Sequence, residues 1–477
     1  MALVGAEGQN CYFFPSIQAA QDCKAFATSP SREDKRIPAE DVSIRTFRAN
    51  VDLYAVLFPE EFTATVHHFW LNSGVGISSR LAEDTLKNFD TLHEIATGEP
   101  SRPKGVEGVA HLQLRERIAA LLNRAPIDPH RSVRASQGDV YLYQTGMAAI
   151  YWVHRYLLNQ YASSSVLFGF AFHSTIHVLE DFGPGVEFLG LASQEELDVL
   201  EQHLATQSTQ GKKVQAIWAE FPSNPLLTSP DLGRLRELAD KYEALLVIDD
   251  TIGSFCSVDV LGAADIIVSS LTKSFSGYAD VMAASAILSP LSRRYATLKK
   301  LFDEQYHNDF FIGDAEALEH NSRNYLERSA ILNNNAARLV EFLHQRALDP
   351  TSTVKKVFYP TVNESSAANY RAFMRPPTDD FTPGHGCLFS VEFDSLDATV
   401  AFYDNLNVHM GPHLGAHLTI AIGYCMGVYG NELEWAGKFN VRPTQIRVSV
   451  GLEDTEMLLE VFRAAVQAAD SRVDVKN

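Results

Sequence analysis

Three short apolar runs dominate the middle of the chain: Val214 to Phe221, Ala244 to Ile248 and Ile266 to Ser270. Each is partly β-branched and ends in polar residues, the pattern of a strand buried on both faces. Between the first two, Leu232, Leu235, Leu238 and Ala239 recur at helical spacing behind the start signal Ser229-Pro230-Asp231, which predicts a helix from Leu232 to Tyr242. A strand, a helix and a second strand in that order imply parallel strands joined by a right-handed crossover. The alternation begins near Gly108, where Leu112 to Leu122 reads as an amphipathic helix, and continues to about residue 290. An α/β domain with a mostly parallel sheet is expected there. Beyond Tyr325 come a long helical stretch to Arg346, the segments Leu388 to Phe393, Ala398 to Leu406 and Gln445 to Val450, and a last helix from Thr455 to about Ala469, the order of a smaller α+β domain. The first hundred residues mix short apolar stretches with turn-rich polar ones such as Ser29 to Arg36, and no core pattern is read there. The expected division is residues 1–105, 106–325 and 326–477.

Composition narrows the class. The 477 residues are 46% hydrophobic and 21% charged, with 28 Gly and 20 Pro, which excludes collagen-like and disordered chains. The balance of 59 acidic to 40 basic residues, net −19, argues against binding to nucleic-acid phosphates or an anionic membrane surface. Anionic ligands therefore need a local positive site. Cys11, Cys23, Cys256, Cys387 and Cys425 are scattered and form no C-x-x-C pair, so neither a disulfide framework nor a zinc ribbon is predicted. No run approaches the ~18 apolar residues of a membrane span, and the N-terminus carries Glu7 with no apolar export segment. A cytoplasmic setting is expected.

In open parallel sheets, ligands bind beyond the carboxyl ends of the strands. The three runs deliver Asn224, Asp249 and Lys273 just past those ends, at intervals of 25 and 24 residues. An amide, a carboxylate and an amine converging there suit pyridoxal 5'-phosphate: the amine forms a Schiff base, the carboxylate holds the pyridinium nitrogen protonated and the amide binds the ring hydroxyl. Gln144-Thr145-Gly146-Met147-Ala148-Ala149-Ile150 offers a phosphate cradle, a glycine opening a helix whose first N–H groups face an anion. Spacing alone leaves the bland readings open, because strand-end caps and glycine turns before helices often bind nothing.

Ser270-Leu271-Thr272-Lys273 behind an apolar strand resembles the S-x-T-K lysine motif of the Cys/Met metabolism family of PLP enzymes. Tyr143 to Met147, Glu220-Phe221-Pro222-Ser223-Asn224-Pro225, Val247 to Thr251 and Arg447 to Glu453 are similar to that family in order and approximate spacing. Gly8 to Cys11, Phe14-Pro15-Ser16, Gly76-Ile77-Ser78-Ser79-Arg80 and Gly411-Pro412-His413-Leu414-Gly415 extend the likeness to its fungal cystathionine γ-synthase branch, over nearly the whole chain. The resemblance implies an aspartate-aminotransferase-like fold, a homodimer or homotetramer with shared active sites, and an N-terminal segment that serves the neighbouring subunit. It implies Lys273 as Schiff-base lysine and proton shuttle, Asp249 on the pyridinium nitrogen and Asn224 on the ring oxygen and near the substrate. Gly146, Met147, Ser270 and Thr272 would hold the phosphate with Arg80 of the neighbouring subunit, and Arg447 the substrate α-carboxylate.

Departures from the family pattern point to the substrate. Phe172 stands where the family has a tyrosine stacked on the cofactor. A phenyl ring stacks but cannot donate a proton, so that role is missing or passes to a neighbour such as His173. His413 replaces the serine of Gly-Pro-Ser-Leu-Gly, Ser78 the tyrosine of Tyr-x-Arg, and Tyr278 is a weaker candidate of the same kind. His409, His413 and His417 are spaced four apart, as are His173 and His177, but intervening Gly411, Pro412 and Gly415 break a helix and no H-E-x-x-H is present, so no metal site is expected. The expected reaction is γ-replacement on an O-acyl-L-homoserine such as O-acetylhomoserine, with Phe172 and His413 marking a carbon nucleophile as acceptor in a fungal biosynthetic pathway of secondary metabolism. Cystathionine γ-synthesis from cysteine, γ-lysis, and a catalytically degraded PLP-binding interaction protein are the alternatives.

Overall fold

The apolar runs of the chain's middle lie side by side in a seven-stranded sheet. Its order is Val140–Tyr143, Ala284–Leu288, Ile266–Ser270, Leu245–Asp249, Val214–Glu220, Ser164–Phe168 and Val186–Leu189. The computed structural model describes residues 7–96, 107–362 and 364–471, so the boundary expected near residue 105 lies outside the described residues. Ala284–Leu288 runs antiparallel to both neighbours, and every other pair is parallel. All seven residues of Val214–Glu220 are buried, which is why that segment reads as a continuous apolar run. The helix Leu232–Lys241 buries Leu232, Leu235, Leu238 and Ala239, and the Asp231 side chain caps it by accepting the Arg234 N–H at 3.0 Å. Register places Glu220 beside Asp249 and Asp249 beside Val268, so the polar strand ends share one edge of the sheet.

The C-terminal part is a five-stranded sheet, Val354–Phe358, Leu388–Phe393, Gln445–Ser449, Ile420–Ile422 and His409–Met410. The helices Tyr325–Leu348, Leu396–Asn405 and Thr455–Ser471 pack on it around Leu339, Phe389, Phe402 and Phe462.

The first hundred residues correct the expectation that no core begins there. Gln9–Phe14, Asp52–Pro59, Ser43–Arg48 and His93–Ile95 form a four-stranded antiparallel sheet. Val56 and Phe58 are fully buried, and with Phe14 and Phe69 they share one core with Tyr143, Ala149 and Tyr151 of the large domain. Asp52–Pro59 buries both faces, so it lacks the alternation that announces a strand, and its apolar run is too short to separate strand from helix by period. No helix among the described residues is long and apolar enough to cross a membrane.

Candidate active site

A cavity of about 220 Å³ opens at the carboxyl edge of the large sheet. Gly146, Met147, Phe172, Asn224, Asp249, Ser270, Thr272, Lys273 and Arg447 all line it, so Asn224, Asp249 and Lys273 meet as the strand spacing predicts and Arg447 joins them from the C-terminal sheet. The helix Gly146–Tyr161 points its N-terminus here, capped by Thr145, whose Oγ1 accepts the Ala148 N–H at 2.9 Å and donates to the Gly74 carbonyl at 2.9 Å. The first N–H groups of such a helix have no acceptor within it. A side chain at Gly146 would meet Ser270 at 3.1 Å, so glycine keeps this turn close to the strand end that carries the lysine.

Lys273 makes no ion pair or side-chain hydrogen bond among the described residues. Burial, with the Arg447 guanidinium nearby, lowers its ammonium to about 8, which favours the nucleophilic amine. Asp249 accepts the Thr251 N–H at 2.9 Å, and Thr251 Oγ1 in turn accepts the Ser270 N–H at 2.8 Å, tying the two strand ends together. Burial raises the Asp249 carboxyl, so the site favours a cationic partner for it. Thr272 lines the cavity with its hydroxyl engaged by both backbone groups of Ala283, at 3.2 and 3.0 Å, which fastens the Lys273 turn to the strand Ala284–Leu288. The Ser270 hydroxyl has no such commitment among the described residues.

Arg447 is buried. Its Nη1 donates to Asn224 Oδ1 at 3.1 Å and its Nη2 to the Pro412 carbonyl, while Nε is buried without a partner. A buried guanidinium with a donor to spare and no carboxylate beside it suits an incoming carboxylate. Phe172 lines the cavity, 41% exposed as a residue, and its N–H donates to Glu220 Oε1 at 2.7 Å. The other Glu220 oxygen accepts the Asn224 N–H at 3.0 Å. One carboxylate thus clamps the backbones of two cavity residues, and burial plus the Asp249 charge pushes it well above the usual range.

Other predicted positions lie elsewhere. The His173 ring turns away, its Nε2 3.1 Å from Glu432 and 3.3 Å from His177, so it does not replace the missing tyrosine hydroxyl. Ser78 is a helix cap, accepting the Leu81 N–H at 3.1 Å and donating to Asp314, and Tyr278 packs against His417 and Arg328 outside the cavity. Arg80 bonds the Asp280 carbonyl at 2.7 Å and Asp314 at 3.3 Å rather than lining this chain's cavity. His413 flanks the lining residues Pro412 and Leu414. Its Nε2 is buried and unpartnered, and burial with Lys273 and Arg447 nearby lowers the imidazole to about 4. Among the described residues, no group of three or more His, Cys, Asp or Glu side chains is placed to hold a metal ion.

Sequence reading missed Glu220 as a clamp, Tyr424, and Gly415. Gly415 has φ +78°, and a Cβ there would lie 2.3 Å from Ser274 N and 2.9 Å from the Lys273 carbonyl carbon. The only advance signal was its place in the Gly411 to Gly415 motif. Gly415→Ala is expected to shift the Lys273 turn and strain the backbone by about 1–3 kcal/mol. Lower visible cofactor absorbance and a lower melting temperature would register it, with Gly437→Ala, which meets nothing within 4 Å, as the unaffected control.

The amine, the carboxylate, the amide and the helix N-terminus fit pyridoxal phosphate. Such a donor set supplies a nucleophile for the aldehyde, an anion for the ring nitrogen, a polar group for the ring oxygen and N–H groups for the phosphate. Residues 134–467 match the family model "Cys/Met metabolism PLP-dependent enzyme", and residues 1–78 match "Fungal trans-sulfuration enzyme, N-terminal domain". The chain is 35% identical to the cystathionine gamma-synthase-like enzyme iboG2 of Amanita muscaria over 98% of this chain and 87% of that protein. It is 38% identical to the alanine racemase ungC of Aspergillus violaceofuscus over 87% and 74%, and 41% identical to the cystathionine gamma-synthase of Neurospora crassa over 70% and 52%. Relatives at similar identity carry different activities, so likeness alone does not fix the reaction. The cystathionine gamma synthase of Xanthomonas oryzae pv. oryzae shares the fold, with a TM-score of 0.60 at 21% identity over 79% of this chain and 91% of that one. With Lys273, Asp249 and Arg447 lining one cavity and the family model covering residues 134–467, the chain belongs to the Cys/Met metabolism family of PLP-dependent enzymes, and its cofactor is pyridoxal phosphate.

Proposed function

We propose that the protein catalyses γ-replacement on an O-acyl-L-homoserine, with a stabilised carbon nucleophile that carries no carboxylate of its own, such as the enolate of a β-keto compound, as acceptor. The observation that carries this reading is the charge content of the cavity. Among the described residues lining it, the cations are Lys273 and Arg447, set among the apolar side chains of Ile150, Ile252, Met282 and Leu414. Lys273 is taken by the cofactor and Arg447 by the donor's α-carboxylate. An acceptor with its own carboxylate, as cysteine has, then lacks a cationic partner.

The bound cofactor supplies an electron sink for the donor's α-carbon. Arg447 orients the donor, Asp249 keeps the ring nitrogen cationic, and Lys273 Nζ moves protons at Cα and then Cβ. The Cγ–O bond breaks with its electron pair leaving on the acyl carboxylate, whose conjugate acid has a pKa near ~4 and needs little acid assistance. That tolerates a phenyl ring at Phe172. The acceptor carbon forms the new bond to Cγ and loses one proton, with the unpartnered Nε2 of His413, at the cavity's edge, as its proposed polar contact. Arg80 is proposed to serve the phosphate of a neighbouring copy in a homodimer or homotetramer, which its partly exposed position beside Asp280 supports. The likeness to the Neurospora synthase favours a second reading, with cysteine as acceptor.

Purified holoenzyme given O-acetyl-L-homoserine with a β-keto ester, with cysteine, or with no acceptor separates these by mass spectrometry. The expected product is a carbon-linked amino acid in the first tube alone. A cystathionine mass in the second establishes cysteine instead, and 2-oxobutyrate in all three makes the protein a lyase. No spectral change with any amino acid would make it a cofactor-binding interaction protein.

A further inference from the structure

Tyr424 begins the helix Tyr424–Tyr429 and is buried in the apolar cluster of Phe170, Tyr429 and Val441. It does not line the cavity, yet two cavity residues are held by it. Its hydroxyl oxygen accepts from Asn224 Nδ2 at 3.1 Å, and the Arg447 guanidinium lies over its ring, 4.5 Å from the centroid. Asn224 Oδ1 accepts from Arg447 Nη1 at 3.1 Å and closes the circuit. The amide therefore has one workable orientation, because a flipped amide would set its N–H groups against the guanidinium. The guanidinium is fixed in turn, by the amide at its edge and the ring at its face.

We propose that Tyr424 is the positioning residue for the donor's α-carboxylate, aiming the Arg447 fork without touching the substrate. The proposal rests on the reading that Arg447 takes that carboxylate, and it is independent of which acceptor is used. A fork lined up before binding loses less freedom when the carboxylate arrives, so Tyr424 acts on affinity for carboxylate-bearing ligands and not on the amine that meets Lys273.

The test titrates holoenzyme with L-2-aminobutyrate and, separately, with propylamine, an amine lacking the carboxylate, following cofactor absorbance. Tyr424→Phe keeps the ring and removes the hydroxyl, and is expected to weaken L-2-aminobutyrate about 3- to 10-fold, one hydrogen bond's worth, with propylamine unchanged. Tyr424→Leu removes the ring face as well and is expected to weaken the amino acid by more than about 10-fold, again without touching propylamine. Equal weakening of both ligands in either variant would make Tyr424 a merely structural residue and overturn the proposal. If Arg447→Met abolishes the preference for the amino acid while both Tyr424 variants retain it, Tyr424 does not position the fork. If Arg447→Met leaves the preference intact, the carboxylate reading of Arg447 falls and the proposal falls with it.

Discussion

Lys273→Ala is expected to lower turnover by at least about 10³-fold and to remove the visible absorbance of the lysine-bound cofactor, since the proposed mechanism gives this one side chain both the covalent anchor and the proton transfers. The neighbouring Arg447 and the burial that lower the ammonium to about 8 add a pH signature. The amine is the reactive form, so the rate at which cofactor-free protein recaptures pyridoxal phosphate should climb with pH and level off near 8. An ordinary lysine would keep gaining reactivity to about 10.4. Stopped-flow absorbance across that range reads it directly. An alanine variant within tenfold of full turnover would refute the assignment, and a rate still climbing above pH 9 would refute the lowered ammonium.

Arg447→Met is expected to reduce kcat/KM by about 10²- to 10⁴-fold, chiefly through KM, because a buried charge-assisted pair broken on one side costs about 3–5 kcal/mol. Two effects add here. The substrate loses its guanidinium, and Asn224 Oδ1 and the Pro412 carbonyl lose the donors they accept from. Arg447→Lys restores a charge but not the planar fork and is expected to recover only part of the loss. Steady-state kinetics on the donor, with circular dichroism to establish folding, decide it. A methionine variant within threefold in kcat/KM would place the donor carboxylate elsewhere.

The reactive centre was legible because parallel strands impose an interval. Asn224, Asp249 and Lys273 follow three neighbouring parallel strands at near-equal intervals, which brings them to one edge even though a helix, Leu232–Lys241, lies only between the first two strands and turns alone join Leu245–Asp249 to Ile266–Ser270. The Gly146 turn was readable locally as a glycine opening a helix, but Arg447 could be placed only through motif likeness, since nothing local in Arg447 to Glu453 distinguishes a ligand-binding arginine from a paired one. The supports were not legible. Asn224 and Tyr424 are 200 positions apart, and a tyrosine in an apolar stretch reads as core until the fold brings an amide to its hydroxyl. Gly415 is silent for a similar reason, because what forbids a side chain there is the backbone of the Lys273 turn. His173 shows the opposite failure: next to Phe172 in sequence, it begins a helix and its ring leaves the site for Glu432.

The core shared by the N-terminal sheet and the helix Gly146–Tyr161 has a consequence for how the protein melts. That helix opens toward the cavity and sets Tyr151 edge-on to Phe69 in one buried core that also holds Val56 and Phe58 of the strand Asp52–Pro59, while Thr145 donates to the Gly74 carbonyl. Two family models divide this region, but the interior is continuous across the division. The sheet cannot come away without opening the core that it shares with this helix, so the two are expected to melt as one cooperative unit. Cofactor binding in the cavity at the front of the helix is therefore expected to stabilise the strands of the N-terminal sheet as well, by ordinary mass-action linkage.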